Sequence, residues 1–447
     1  MKVLFVSLGC DKNLVDSENM LGTLRERGYD FTDDEEEADV FIVNSCCFIG
    51  DAKEESINTI IRLGELRTDP LKKCRALIVT GCLAQRYADE IREEMPEVDA
   101  CIGTTAYDRI ASALDRVFKG EYVKDLDDID RPIEPGVNRV LTTGGYYSYL
   151  KIAEGCNKLC TYCIIPKLRG HYRSVPMELL VNEAKRLAGK GVKELILVAQ
   201  ETTLYGLDIY GRKSLPQLLK KLCRIDGISW IRLLYCYPEE ITDELISVIK
   251  KEPKICHYID MPIQHASDKV LRRMGRRTSR DDIKKRIRRL REMIPDIAIR
   301  TTLISGFPGE DEKDHEMLLD FVREERFERL GVFTYSAEEG TKAAEMDDQI
   351  DDEIKEKRRD EVMELQQEIA FNRALSMTGR ELSVIVEGRL VEEDVYAART
   401  YMDGPGVDGM LFFDSDRELM SGDIVKVRVT GANEYDLIGE LCDESAE

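Results

Sequence analysis

No apolar run in this 447-residue chain approaches the roughly 18 residues that a membrane-spanning helix needs, so contact with a membrane is not expected. The apolar opening, MKVLFVSLGC, is short and is followed by charge rather than a small-residue cleavage site. It reads as a first β-strand and not as a signal peptide. Histidine is scarce. The four present, at 171, 257, 265 and 315, share no metal-ligand spacing and default to surface or hydrogen-bonding roles. Positive charge is in deficit, with 65 Lys plus Arg against 87 Asp plus Glu and a net charge of −22. Such a chain repels nucleic-acid backbones except through a local basic patch, and it attracts basic partners. No internal repeat or low-complexity tract is visible. Cysteine, by contrast, is plentiful. Thirteen, an odd number, in a long chain without an export signal point away from a disulfide scaffold. Metal binding or catalysis in the cytoplasm is the better expectation.

The fold class is α/β with a small all-β end. Residues 1–118 alternate β-branched runs (Val3–Ser7, Val40–Asn44, Ala76–Thr80) with helical segments (Val15–Arg27, Ser56–Leu66), the βαβ texture of a parallel sheet. Residues 119–141 are charged and aperiodic, carry Pro132 and Pro135, and read as a linker. Residues 142–372 hold six further strand candidates: Tyr149–Ala153, Glu194–Ala199, Trp230–Leu234, Tyr258–Met261, Ala298–Leu303 and Arg329–Thr334. Helical patterns separate them, and six such βα units make a partial (βα)6 barrel. Asp352–Leu375 reads as one long charged helix. Residues 375–442 break into short β-rich runs (Leu382–Glu387, Val395–Tyr401, Met410–Phe413, Ile424–Thr430) divided by Gly, Asp and Pro, the signature of a small β-barrel.

Cys156, Cys160 and Cys163 form a CxxxCxxC triad just after a predicted strand. Three thiolates so close can hold three corners of a cubic [4Fe–4S] cluster and leave the fourth iron open to a small molecule. A zinc knuckle would want a fourth ligand nearby, and none is at hand. Cys10, Cys46 and Cys82 are far apart in sequence, yet each follows a different predicted strand (VLFVSLGC, VFIVNSC, ALIVTGC). In an open parallel sheet the carboxyl ends of the strands share one edge, so the three can converge there. Pattern alone leaves two readings level: a second cluster site, or three buried structural cysteines. Cys46 and Cys47 are adjacent, and neighbours on an extended chain point opposite ways, so one of the two is the candidate. Cys74, Cys101, Cys223, Cys236, Cys256 and Cys442 read as ordinary core or surface residues.

The triad with Tyr162 before its last cysteine resembles the radical S-adenosylmethionine superfamily. The stretch EGCNKLCTYCIIPKLRG, residues 154–170, is similar to the form found in methylthiotransferases. SLGCDKNLVDSE, VNSCCF and GCLAQRY resemble the three cysteine segments of the N-terminal domain of that family, and the resemblance selects Cys46 over Cys47. It implies two [4Fe–4S] clusters, one on Cys156, Cys160 and Cys163 and one on Cys10, Cys46 and Cys82. It also implies S-adenosyl-L-methionine both as radical source and as methyl donor, and a low-potential electron donor. A 5′-deoxyadenosyl radical would take hydrogen from an unactivated carbon, which no side-chain base could deprotonate at neutral pH. The segment Ile304–Glu310 alone is a tight βα turn, but within the family it resembles the wall of the adenosine site, with Gly306 and Gly309 approaching the cofactor. Residues 200–206 (QETTLYG) and 261–267 (MPIQHAS) end strands and look like further pocket walls.

Members of the family modify a tRNA adenosine or the β-carbon of an aspartate of ribosomal protein S12. The C-terminal segment resembles the TRAM module, often used on RNA. Residues 377–447 nevertheless carry 6 Lys plus Arg against 17 Asp plus Glu, a balance of −11. An RNA-binding module should be basic, so direct RNA binding is not expected to dominate. A basic protein partner is expected instead: ribosomal protein S12, free or on the small subunit. Residues 401–410 (YMDGPGVDGM) and 232–238 (RLLYCYP) resemble the protein-modifying branch. The densely basic Lys269–Arg291 is either an RNA or ribosome contact or, the favoured reading, a solvated helix face. Two alternatives stand beside the main reading: a tRNA-adenosine methylthiotransferase, and a non-catalytic iron–sulfur electron carrier or sensor.

Overall fold

The computed structural model describes residues 1–133, 138–390 and 392–442, so Pro135 lies outside the described residues. Six parallel strands build the N-terminal sheet in the order Asp30–Phe31, Lys2–Ser7, Val40–Ser45, Ala76–Gly81, Ala100–Ile102, Val123–Asp125. The middle strands are buried on both faces because helices cover both sides, and they read as continuous apolar runs for that reason. The edge strand Val123–Asp125 falls within the stretch expected to be linker. It is three residues long with one buried side chain, too short to show a period.

The central domain is the open barrel expected. Tyr147–Lys151, Glu194–Val198, Trp230–Leu233, Ile255–Asp260, Ala298–Ser305 and Arg329–Thr334 lie side by side, all parallel and in sequence order. Its core of Leu, Ile and Val includes Val362 and Ile369 from the helix Asp352–Leu375. The C-terminal domain closes a five-stranded barrel from Glu381–Leu390, Val395–Thr400, Leu411–Asp414, Asp436–Leu441 and Ile424–Asn433.

The three units share cores. Ile164 and Leu168, which follow the CxxxCxxC triad, pack with Leu4, Val43, Val79 and Leu83 of the N-terminal domain. Tyr258 and Ala298 of the open barrel pack with Val384, Leu411 and Phe413 of the small barrel. The N-terminal domain therefore lies against the end of the open barrel where its strands finish, and the small barrel lies beneath, where they begin.

Candidate functional site

In the N-terminal sheet the strand Lys2–Ser7 is flanked by Asp30–Phe31 on one side and Val40–Ser45 on the other. Chain direction across the sheet thus reverses between Lys2–Ser7 and Val40–Ser45, the crevice where open α/β sheets bind ligands. Cys10 and Cys46 follow those two strands, and Cys82 follows the next one. Cys10 caps the helix Asp11–Glu26 and Cys82 opens the helix Cys82–Glu94, so both stand at a helix N-terminus. Ser56 holds Cys46 from both sides: its hydroxyl accepts from the Cys46 amide at 2.9 Å and donates to the Cys46 carbonyl at 3.0 Å.

Two glycines make this crowding possible. A Cβ on Gly9, at φ +87°, would stand 2.7 Å from Cys46 Cβ, and one on Gly81, at φ +89°, would stand 2.6 Å from the Ser45 carbonyl oxygen. Cys47 is fully buried in the apolar core that holds Leu63, Leu77 and Cys82, with Arg86 bonded to its sulfur, whereas Cys46 lies outside that core. Burial pushes the Cys46 thiol up to about 12, with Cys82 adding to the rise. Burial raises Cys82 as well, against the pull of the Arg169 guanidinium. Such thiols keep their protons at neutral pH until a metal displaces them.

The second trio sits at the mouth of the open barrel. Gly155, at φ +78°, lets the chain turn into Cys156 where a Cβ would overlap the His171 carbonyl. The Cys156 amide donates to the Gly170 carbonyl at 3.1 Å, so the loop closes on the far end of its own motif. Thr161 ties the middle of the loop to the Arg273 and Met274 carbonyls. Burial raises Cys156 to about 11, and burial with Cys160 raises Cys163. Tyr162 meets Phe307 edge to face, with ring centroids 6.4 Å apart. Among the described residues, the thiols of neither trio close on a single ion. A polynuclear cluster is what spreads its ligands over separate metals, and two trios of thiols at glycine-cleared chain turns, each with two buried members and one more open (Cys10, Cys163), fit such clusters.

Two charged groups line the same mouth: Glu201, within the 200–206 stretch expected to wall the pocket, and Arg276, which the sequence did not single out. Glu201 is fully buried; one oxygen accepts from Thr203, the other has no hydrogen-bond partner, and Lys158 Nζ stands 3.8 Å away. Burial raises its ionisation to about 7. Arg276, 5% exposed, lies over the Tyr237 ring and gives one N–H to the Pro262 carbonyl, while Nε and Nη1 find no partner. Tyr237 in turn stands 3.9 Å from Cys160 Sγ. A buried carboxylate oxygen without a hydrogen bond near Cys156, and guanidinium N–H groups without one near Cys160, suit a ligand bearing both an ammonium and a carboxylate. Left-handed backbone at three non-glycine residues, Leu159, Tyr235 and Gln264, clusters at this mouth, the kind of strain that gathers at functional sites.

Gly306 and Gly309 also make room for neighbouring side chains. The space a Cβ would take on Gly306 is filled by the Lys355 side chain, and that on Gly309 by Asp348 and Arg273. The Gly306 amide donates to Glu310 Oε2 at 2.8 Å. Their smallness lets protein, namely the start of the long helix, approach the turn. The basic stretch Lys269–Arg291 is largely paired: Lys269 with Asp311 and Asp314, Arg280 and Lys284 with Glu324, Arg289 with Asp243, and Arg291 with Glu328. Several of its cations thus have an acidic neighbour on the same surface.

The two branch-like stretches meet under the barrel. Arg232 is wholly buried, donates to Glu194 at 2.8 Å, and reaches the carbonyls of Thr400 and Tyr401. Arg399 pairs with the other Glu194 oxygen at 2.7 Å. Asp403 and Asp408 of the same loop take Arg329 and Arg300. The loop is thus a plug keyed by buried ion pairs into the barrel floor.

Comparison with known proteins agrees with these units. Residues 2–103 match an uncharacterised protein family, UPF0004, residues 150–322 the radical SAM superfamily, and residues 378–442 the TRAM domain. The chain is 63% identical over 439 residues to the ribosomal protein uS12 methylthiotransferase RimO of Lachnoclostridium phytofermentans, covering 98% of this chain and 99% of that one. It is 51% identical to the protein of the same name from a Thermoanaerobacter species, covering 97% and 98%. Among solved structures, the radical S-adenosylmethionine methyltransferase TsrM from Kitasatospora setae with cobalamin and a [4Fe-4S] cluster bound superposes with a TM-score of 0.53. At 15% identity over 74% of each chain, that likeness is one of fold.

Proposed function

The chain belongs to the uS12 methylthiotransferase (RimO) family of radical S-adenosylmethionine enzymes, and from that premise we propose that it places a methylthio group on the β-carbon of an aspartate of uS12, with Cys156, Cys160 and Cys163 holding one [4Fe–4S] cluster and Cys10, Cys46 and Cys82 the other. When bound, the first cluster supplies the electron that cleaves S-adenosylmethionine to a radical, and the second supplies a site for the sulfur to be transferred. The chain's own residues divide the rest. Glu201, once ionised, offers its unpartnered oxygen to the ammonium of S-adenosylmethionine, and Arg276 offers two N–H groups to its carboxylate. Tyr162, Phe307 and Tyr335 wall the mouth with apolar surface that keeps water from a reactive carbon radical. A low-potential reductant in the cytoplasm completes the scheme.

The observation that carries this reading is the stacking of the two trios. The helix Ile165–Arg169 begins two residues after Cys163 and ends at Arg169, which faces Cys82. One short helix therefore links the two sites across a sealed interface. The acidic C-terminal domain suits a basic protein. Around exposed Ile438 and half-buried Phe412 it presents Glu393, Asp414 and Asp436. Incubating anaerobically reconstituted enzyme with uS12, S-adenosylmethionine and a strong reductant tests the proposal: intact-protein mass spectrometry should show a gain of one methylthio group on uS12. Modification of tRNA with uS12 untouched would overturn the substrate.

A further inference from the structure

Asn13 is fully buried and touches all three cysteine segments of the N-terminal site. Its Nδ2 donates to the Leu8 carbonyl and to the Ser45 carbonyl, each at 3.0 Å. Leu8 lies two residues before Cys10, and Ser45 immediately before Cys46. Its Oδ1 faces Cys82 Sγ at 3.9 Å and accepts from Arg169 Nη2. Both donors and the acceptor of one amide are thereby committed, tying the three cysteine segments together. The backbone carbonyl of Asn13 also accepts from Asn44 Nδ2 at 2.8 Å, which locks the helix Asp11–Glu26 to the strand before Cys46.

Arg169 brings the charge. It is 2% exposed, and its Nη1 donates to Asp16 at 2.7 Å and to Glu154 at 3.0 Å. Asp16 belongs to the N-terminal domain. Glu154 stands two residues before Cys156 and also takes Lys151 at 2.7 Å and Gln200 at 2.6 Å. The guanidinium therefore sits between the two trios, fixed by a carboxylate from each side. Its remaining face is turned to Asn13 and Cys82. A buried cation held this rigidly beside thiolates stabilises the more negative, reduced state of any metal group they carry.

We propose that Asn13 and Arg169 are positioning residues for the N-terminal thiolate site, Asn13 by fixing the three cysteine segments relative to one another and Arg169 by setting the reduction potential of the cluster held there. This rests on the assignment of Cys10, Cys46 and Cys82 as cluster ligands. The test uses the full-length, anaerobically reconstituted protein. Iron is counted per chain, and each cluster is titrated by electron paramagnetic resonance with and without S-adenosylmethionine. The signal that does not respond to S-adenosylmethionine belongs to the N-terminal site.

In Arg169→Gln, which keeps a donor to Asn13 but loses the charge, that signal should titrate at a lower potential with iron retained near about eight per chain. Arg169→Lys should restore most of the potential. Asn13→Ala should drop iron toward about four per chain, with the loss confined to the same signal. If Arg169→Gln does not fold, the lysine and Asn13 variants decide. The proposal is overturned if Arg169→Gln and Arg169→Lys shift the potential alike, or if Asn13→Ala keeps full iron and an unmoved potential. A parent protein with only about four irons would instead sink the ligand assignment itself.

Discussion

Replacing Glu201 by Gln should stabilise the metal-free chain at pH 8 while weakening its hold on S-adenosylmethionine. Burial moves this carboxyl from the ordinary 4.5 to about 7. At roughly 1.4 kcal/mol per pH unit, carrying its charge in the folded state costs about 3 kcal/mol. The unfolded chain ionises near 4.5 and the folded chain only near 7. Stability from this group is therefore fully present below pH 4.5, falls as pH rises toward 7, and stays lost above it. Glutamine is isosteric, keeps an oxygen for Thr203, and carries no such cost. Urea unfolding at pH 5, 6, 7 and 8 should show the variant gaining on the parent up to about pH 7 and holding that lead at pH 8. The same change removes a charge-assisted bond to the ligand ammonium, about 1.5–3 kcal/mol, so affinity measured by calorimetry on the reconstituted protein should fall roughly tenfold or more. In the parent, affinity should weaken as pH drops below 7. A variant that is destabilised equally at every pH, or that binds S-adenosylmethionine unchanged, would refute the reasoning.

Alanine at Cys10, Cys46 or Cys82 should leave 5′-deoxyadenosine formation intact and stop sulfur insertion, whereas alanine at Cys156, Cys160 or Cys163 should abolish both, as chromatography of the products will show. Gly155→Ala meets the His171 carbonyl at a left-handed turn. It should cost about 2–5 kcal/mol in thermal unfolding and lower the iron bound at the barrel site. Arg232→Met leaves Glu194 with a single buried partner. It should lose about 3 kcal/mol, read as a lower melting temperature. Reversing Glu393 and Asp414 to Lys should weaken binding of uS12 several-fold in a pull-down titration, more at low salt than at high.

The strand ends were the legible part of this molecule. Where β-branched runs are buried on both faces, as at Val40–Ser45 and Ala76–Gly81, the pattern reports its own boundaries, and the cysteines after them could be placed on one edge. The first helix begins at Asp11, four residues before its apolar period at Val15, because Lys12 and Asn13 are buried against other protein. Polar residues hidden by tertiary packing carry no periodic mark. The same holds for Asn13, Arg276 and Arg169, whose roles come from contacts spanning up to 156 positions in sequence, whereas Glu201 lay within a stretch already read as a pocket wall. Strand Asp436–Leu441 carries no apolar alternation, because Ile438 faces solvent while Gly439 is buried. The glycines at 306 and 309 stand at a turn that Lys355, Arg273 and Asp348 approach closely, contacts that no local pattern reports. Likewise, the two stretches that resemble the protein-modifying branch, 232–238 and 401–410, gave no hint that they would meet through Arg232.

The most direct test of the account is the iron and sulfide content of the full-length protein prepared without oxygen, alone and with each cysteine trio changed to alanine. Two independent thiolate trios require about eight irons per chain in the parent and about four in either triple variant. About four irons in the parent, with one triple variant unaffected, would contradict it.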